Sequence, residues 1–199
     1  IYGRNFLGMP FDSQIETWVD GHLTHMNNYG YWGNESITHL KFQNGYHQYE
    51  ILEYLGVENP LIECAVAFVR KIADRRGQFA PYIGGSGCYD YDAVSIITSP
   101  ERMLTDEDIK LLSVTVGTIL SEQNQDGGFS ESQWIRPRSS RSIVAGVRHV
   151  LSAKNTLRKE RARYFLALLS PKHDRLNTHW TSYSRHWGES NLWDTWFRL

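Results

Sequence analysis

What this chain lacks narrows it first. No apolar run approaches the ~20 residues that a membrane-spanning helix needs. Neither sign of charge dominates: 21 Lys and Arg stand against 22 Asp and Glu, a net charge of -1. That balance gives no electrostatic case for a nucleic-acid partner or an anionic membrane. Cysteine is scarce. Cys64 and Cys88 cannot build a disulfide framework, and two thiols fit a reducing compartment. A cytoplasmic protein, at most peripheral to a membrane, is the expectation. The start, Ile1-Tyr2-Gly3-Arg4, shows no signal-peptide pattern. A length of 199 residues suits a single domain over 1–199 with a real core.

What the chain has in excess is aromatic surface: 13% of residues, with seven Trp and eleven Tyr. The simple reading is a large aromatic core with Tyr at the surface. The sharper reading is a cavity lined by ring faces, for a sugar or a cationic intermediate.

The apolar pattern is helical almost throughout. A short helix is expected near Phe11–Val19, with Asp12 or Ser13 as its cap. Ile37, Leu40, Phe42, Tyr46, Tyr49, Leu52 and Leu55 recur at helical spacing and stop at Gly56. Leu61, Ala65, Phe68, Val69 and Ile72 give the next apolar face. Cys88 to Thr98 is open between a short helix and a buried strand, because Val94, Ile96, Ile97 and Thr98 are β-branched. Thr105, three residues before Asp108, is a strong helix start. Helices are also expected over 142–151 and 154–169, with 172–186 irregular. On the second of these, Lys154, Arg158, Lys159, Arg161 and Arg163 read as a solvated face.

Four turns look alike. Gly30-Tyr31-Trp32, Gly77-Gln78-Phe79, Gly127-Gly128-Phe129 and Arg185-His186-Trp187 each place an aromatic ahead of an apolar segment. The final aromatics stand 47, 50 and 58 residues apart. Such periods belong to arrays of paired helices. Gln123-x-x-Asp126-Gly127-x-Phe129 resembles the repeat motif of the triterpene cyclase and protein prenyltransferase superfamily. That resemblance implies an all-α fold, an α/α toroid of alternating outer and inner helices around a cavity. Inner helices would start near 35, 88, 139 and 190, with outer ones near 60–74, 105–122 and 155–169. A full toroid of this family usually has more helices, so the chain reads as part of one or a reduced form.

The chemistry gathers at Gly87-Cys88-Tyr89-Asp90-Tyr91-Asp92-Ala93. Asp90-Tyr91-Asp92-Ala93 resembles the Asp-x-Asp-Asp acid of class II terpene cyclases, with Ala93 at the last Asp. The resemblance implies Asp92 as proton donor and Asp90 as its partner. A donor must stay un-ionised, which burial and a neighbouring carboxylate both favour. The plain alternative is that one of the two caps a helix. Gly87-Cys88-Tyr89 also resembles prenyltransferase β-subunits, where the Cys binds zinc. Here Ser86 stands at that family's Asp, and Asp194 at its late His, with His179 and His186 nearby. No bound metal is therefore expected.

On the first inner helix His39, Gln43, Tyr46, His47 and Glu50 form a polar stripe that either meets substrate or faces solvent. His39, Gln43, Tyr46 and His47 of that stripe, with Tyr89, Tyr91, Trp193, Asp194 and Trp196, are the candidate substrate contacts. Arg136, Arg138 and Arg141 are placed to fork a diphosphate or simply to solvate a loop. The leading expectation is a terpene-cyclase-like enzyme acting on a hydrophobic isoprenoid, a prenyl diphosphate among the options. The alternatives are a carbohydrate-active toroid using paired acids and a non-catalytic helical scaffold.

Overall fold

In the computed structural model, residues 13–85, 87–132, 134, 139–169, 175–177, 182–184 and 190–199 are described. Among them the fold is helical: α1 (Ser13–Thr24), α2 (His39–Leu55), α3 (Ile62–Ile72), α4 (Gly87–Ile97), α5 (Asp106–Ser121), α6 (Ser140–Ser152), α7 (Asn155–Leu168) and α8 (Leu192–Arg198). Within the stretch read as irregular, β1 (Arg175–Asn177) pairs antiparallel with β2 (Ser182–Ser184), Leu176 opposite Tyr183. The segment open between helix and strand is helix α4. No helix among the described residues is long and apolar enough to cross a membrane.

Helix ends follow local chemistry. The Thr38 hydroxyl accepts the Lys41 N–H at the start of α2, and Gly56 closes that helix in the left-handed region at φ 67°. Thr105 and Asp108 exchange a reciprocal capping pair at α5. Asp108 also receives Arg70 at 2.6 Å and Arg102 at 2.7 Å, which ties α5 to α3. Burial works to raise the Asp108 pKa, but these hydrogen bonds outweigh it and hold the carboxyl well below the ordinary range.

The core lies where α2, α3 and α4 meet. Ala65, Val66, Phe68, Val69 and Ile72 of α3 are buried against Phe42 and Tyr46 of α2 and Ala93, Ile96 and Ile97 of α4. Tyr31 and Phe79 enter the same cluster from turns. Each buried Val, Ile or Phe side chain among them contributes about 1.5–3 kcal/mol.

Three of the four look-alike turns are described, and they share one hydrogen-bond pattern. Asn27, Asp74 and Asn124 each send their N–H to the carbonyl four residues on, at 2.6, 2.8 and 2.9 Å. Each also accepts, on its own carbonyl, the N–H of the glycine three residues on. Those glycines, Gly30, Gly77 and Gly127, have φ of 76°, 71° and 85°, where a side chain is strained. At Gly77 a Cβ would also stand 2.7 Å from the Thr115 hydroxyl. Gln123, just past the end of α5, donates to the Gly127 carbonyl at 2.7 Å and braces the third turn. The fourth turn, with His186 and Trp187, lies outside the described residues.

Two long-range returns organise the rest. Helix α7 comes back to the start of α2. Glu160 accepts the His39 and Leu40 N–H groups at 2.7 and 3.1 Å, and Thr156 donates to Ile37 O. Arg161, read above as solvated, is 2% exposed. Its guanidinium donates to Ile72 O, His149 O, Ser152 Oγ and His39 Nε2, so carbonyls and a ring nitrogen replace water around the charge. Helix α8 packs on α4, and Arg198 donates to Gly84 O, Gly85 O and Glu122.

Candidate active site

Asp90 and Asp92 both lie inside α4, so their side chains leave the helix in different directions. Asp90 turns toward the second repeat turn. Its Oδ1 accepts the Phe79 N–H at 3.0 Å. The Phe79 carbonyl accepts His39 Nδ1–H at 2.6 Å, and His39 Nε2 receives Arg161. Burial and the Arg161 charge push the His39 pKa down to about 3, so the ring is neutral, with its proton fixed on Nδ1. His39 is thus placed in the interior, apart from the rest of its stripe. Tyr89 accompanies it, edge-on at 6.4 Å.

Asp92 turns toward α2. It is 2% exposed, and its Oδ2 has no hydrogen-bond partner among the described residues. Burial lifts its pKa to about 7; His47 opposes this, while Glu50 and Asp90 add to it. The stripe gathers here. His47 Nδ1 lies 2.8 Å from Glu50 Oε2, and the Tyr46 hydroxyl donates to Glu50 Oε1 at 3.2 Å. Gln43 donates to Cys88 Sγ at 3.7 Å. Aromatic rings continue outward from Tyr46 to Tyr91 to Phe197 to Trp193, each edge-on to the next at 6.2, 5.5 and 4.8 Å. Beside this cluster runs a groove of about 650 Å³ whose walls include Tyr46, Glu50, Glu53, Tyr54, Tyr91 and Glu101. None of its described lining residues is Lys or Arg.

The remaining candidates sit elsewhere. Asp194 is buried at the start of α4, accepting the Gly87 N–H at 3.2 Å and the Asn191 amide at 2.8 Å. Trp196 projects from α8, 74% exposed. Ser86, Arg136, Arg138, His179 and His186 lie outside the described residues. Sequence reasoning passed over Ser95, which hydrogen-bonds Tyr46. It also passed over Glu122, which gathers Arg76, Gln78, Trp134 and Arg198. A lone Glu after a helix carries no signal of that role.

Among the described residues no group of three His, Cys, Asp or Glu side chains is placed to hold a metal. Purified, untagged protein is expected to carry no stoichiometric zinc through Cys88. Metal analysis that finds one zinc per chain, lost on Cys88→Ala, would reverse this.

The raised Asp92 pKa has a definite sign in stability. The folded carboxyl holds its proton up to about pH 7, whereas the unfolded one releases it near the ordinary 3.8. Its contribution is full below pH ~4 and is lost as pH rises through 7. Asp92→Asn should therefore gain stability relative to wild type between pH 4.5 and 8. Urea unfolding at both values checks this; a constant difference would contradict the protonated carboxyl.

Set beside protein-family models, curated proteins and solved structures, the chain matches none.

Proposed function

We propose that this protein is a carbohydrate-active enzyme on an α/α-toroid scaffold, with Asp92 as proton donor and Glu50 as the second carboxylate. The observation that carries this is Asp92 itself: a buried acid with an oxygen unpartnered among the described residues, its pKa lifted to about 7 by burial, with Glu50 of the neighbouring helix near enough to add to that lift. Asp92 lies behind the groove and is not one of its described walls. A neutral acid near a second carboxylate is the arrangement glycosidic bond cleavage uses. The groove suits a sugar. Tyr46, Tyr54 and Tyr91 offer ring surface, and Glu50, Glu53 and Glu101 offer acceptors for hydroxyl groups. The return of α7 onto α2 and the three matched turns support the toroid.

Protonation of an isoprenoid is the second reading. It is favoured by the Asp-Tyr-Asp order and by the placing of Asp92 beside Tyr46 and Tyr91, whose faces would steady a cation. The carboxylate-lined groove, with no Lys or Arg among its described walls, suits a diphosphate less well.

Incubation with panels of oligosaccharides, linear isoprenoids and prenyl diphosphates separates the two. New reducing ends in the first panel alone are expected. Cyclised isoprenoid would install the second reading. Silence in every panel over roughly pH 4–8 would leave Asp92 without the role given to it.

A further inference from the structure

A second cavity, of about 640 Å³, opens on the other side of the 74–79 turn, against Trp134 and helix α6. Among the described residues its walls carry Arg75, Arg76, Arg141 and Arg148 and a single carboxylate, Asp74. The chain as a whole has a net charge of -1, so this is a local concentration of cations. Asp74 is already engaged: it accepts the Arg76 and Gln78 N–H groups at 2.7 and 3.0 Å and lies 3.3 Å from His149 Nδ1. Arg75, Arg141 and Arg148 have no carboxylate partner among the described residues.

Two further features make this a built site rather than a basic surface. Trp134 holds two guanidinium groups over its ring, Arg76 at 4.6 Å and Arg141 at 5.2 Å. Its indole N–H is fixed by Glu122 at 3.0 Å. Guanidinium groups resting on a ring keep their in-plane N–H donors available for a fork onto oxyanions. His149, in the same wall, is buried, and its Nε2 has no partner among the described residues. With Nδ1 turned to Asp74, Nε2 is left as the ring atom with no partner among the described residues, buried in the cavity wall.

We propose that this cavity binds a phosphate-bearing small molecule, gripped by Arg75, Arg141 and Arg148 and contacted by His149 Nε2. The phosphate class follows from the donors: several arginines lining one cavity suit a tetrahedral, multiply charged anion better than a single carboxylate. The site shares no lining residue with the groove beside Asp92, and the proposal stands independently of the reaction there.

Calorimetric titration of the 199-residue chain with pyrophosphate at low salt tests it, with inorganic phosphate and citrate as comparisons. One-to-one binding that saturates below about 1 mM is expected, with citrate at least tenfold weaker. Arg141 and Arg148 are exposed, so Arg141→Gln and Arg148→Gln should fold normally by circular dichroism. Each should weaken pyrophosphate by about tenfold or more. In the wild-type chain the ¹⁵N resonance of His149 Nε2 should move on saturation. No binding at 10 mM, unchanged affinity in both variants, citrate as tight as pyrophosphate, or a His149 signal that stays still would each overturn the assignment.

Discussion

Asp92→Asn is expected to lower turnover by about 10²–10⁴-fold, the usual share of a positioned general acid, on whichever oligosaccharide the wild-type chain cleaves. The substitution keeps shape and removes only the transferable proton. It should leave folding intact, because the lost atom is an oxygen with no partner among the described residues. Asp90→Asn is the internal control. Burial also lifts Asp90 to about 7, against the pull of Arg198. Its Oδ2 has no partner among the described residues, like that of Asp92, but its Oδ1 is spent on the Phe79 N–H, which an amide oxygen can still accept. Most activity should survive there. Glu50→Gln should fall with Asp92→Asn. Steady-state rates across pH decide the matter. If Asp92→Asn turns over as fast as wild type, the proton comes from elsewhere.

Phe129→Ala is expected to cost about 3–5 kcal/mol of folding free energy, as for a large aromatic removed from a core. The ring is 1% exposed and lies beneath the Arg198 guanidinium, 5.8 Å away. Its backbone holds both ends of the start of α8: the N–H goes to Thr195 Oγ1 and the carbonyl receives Asn191 N–H, each at 2.9 Å. The cavity left behind cannot collapse without moving that helix. Urea unfolding of Phe129→Ala beside Trp196→Ala gives the contrast, since Trp196 is largely exposed and its loss should cost less than about 0.5 kcal/mol. A cost at Phe129 below about 1 kcal/mol would show that the third turn is not a packing element.

The parts legible in the sequence were those decided locally. Helix starts expected near 35, 88, 139 and 190 appear at His39, Gly87, Ser140 and Leu192. Thr105 with Asp108, and the Gly127 turn with Phe129, formed as their residue types require. Long-range choices were not legible. Arg161 looked like its four basic neighbours, and only carbonyls from distant segments make its burial tolerable. Val114, Val116 and Leu120 belong to the apolar pattern of α5 yet remain exposed, because an apolar pattern does not say which face a partner will cover. In the polar stripe of α2, spacing alone could not separate His39, turned inward to Phe79, from His47 and Glu50, which pair with each other and act electrostatically on Asp92. The cation-rich cavity was half visible. Arg141 stands out in the sequence; Trp134, Asp74 and His149, which give the cavity its walls, carry no pattern of their own.

Asp194 and Arg198 close the start of α4 from more than a hundred positions further along the chain. That distance becomes a delay during synthesis. A ribosome adding roughly 5–20 residues per second needs about 5–20 s to travel from Gly87 to Asp194. Throughout that interval the helix bearing both acids has its core partners α2 and α3 but neither of its two final clasps. A nascent chain halted before α8 would present Asp92 on an unfinished helix, so proteolysis of stalled chains should cut within Tyr82–Tyr91 and spare α2 and α3.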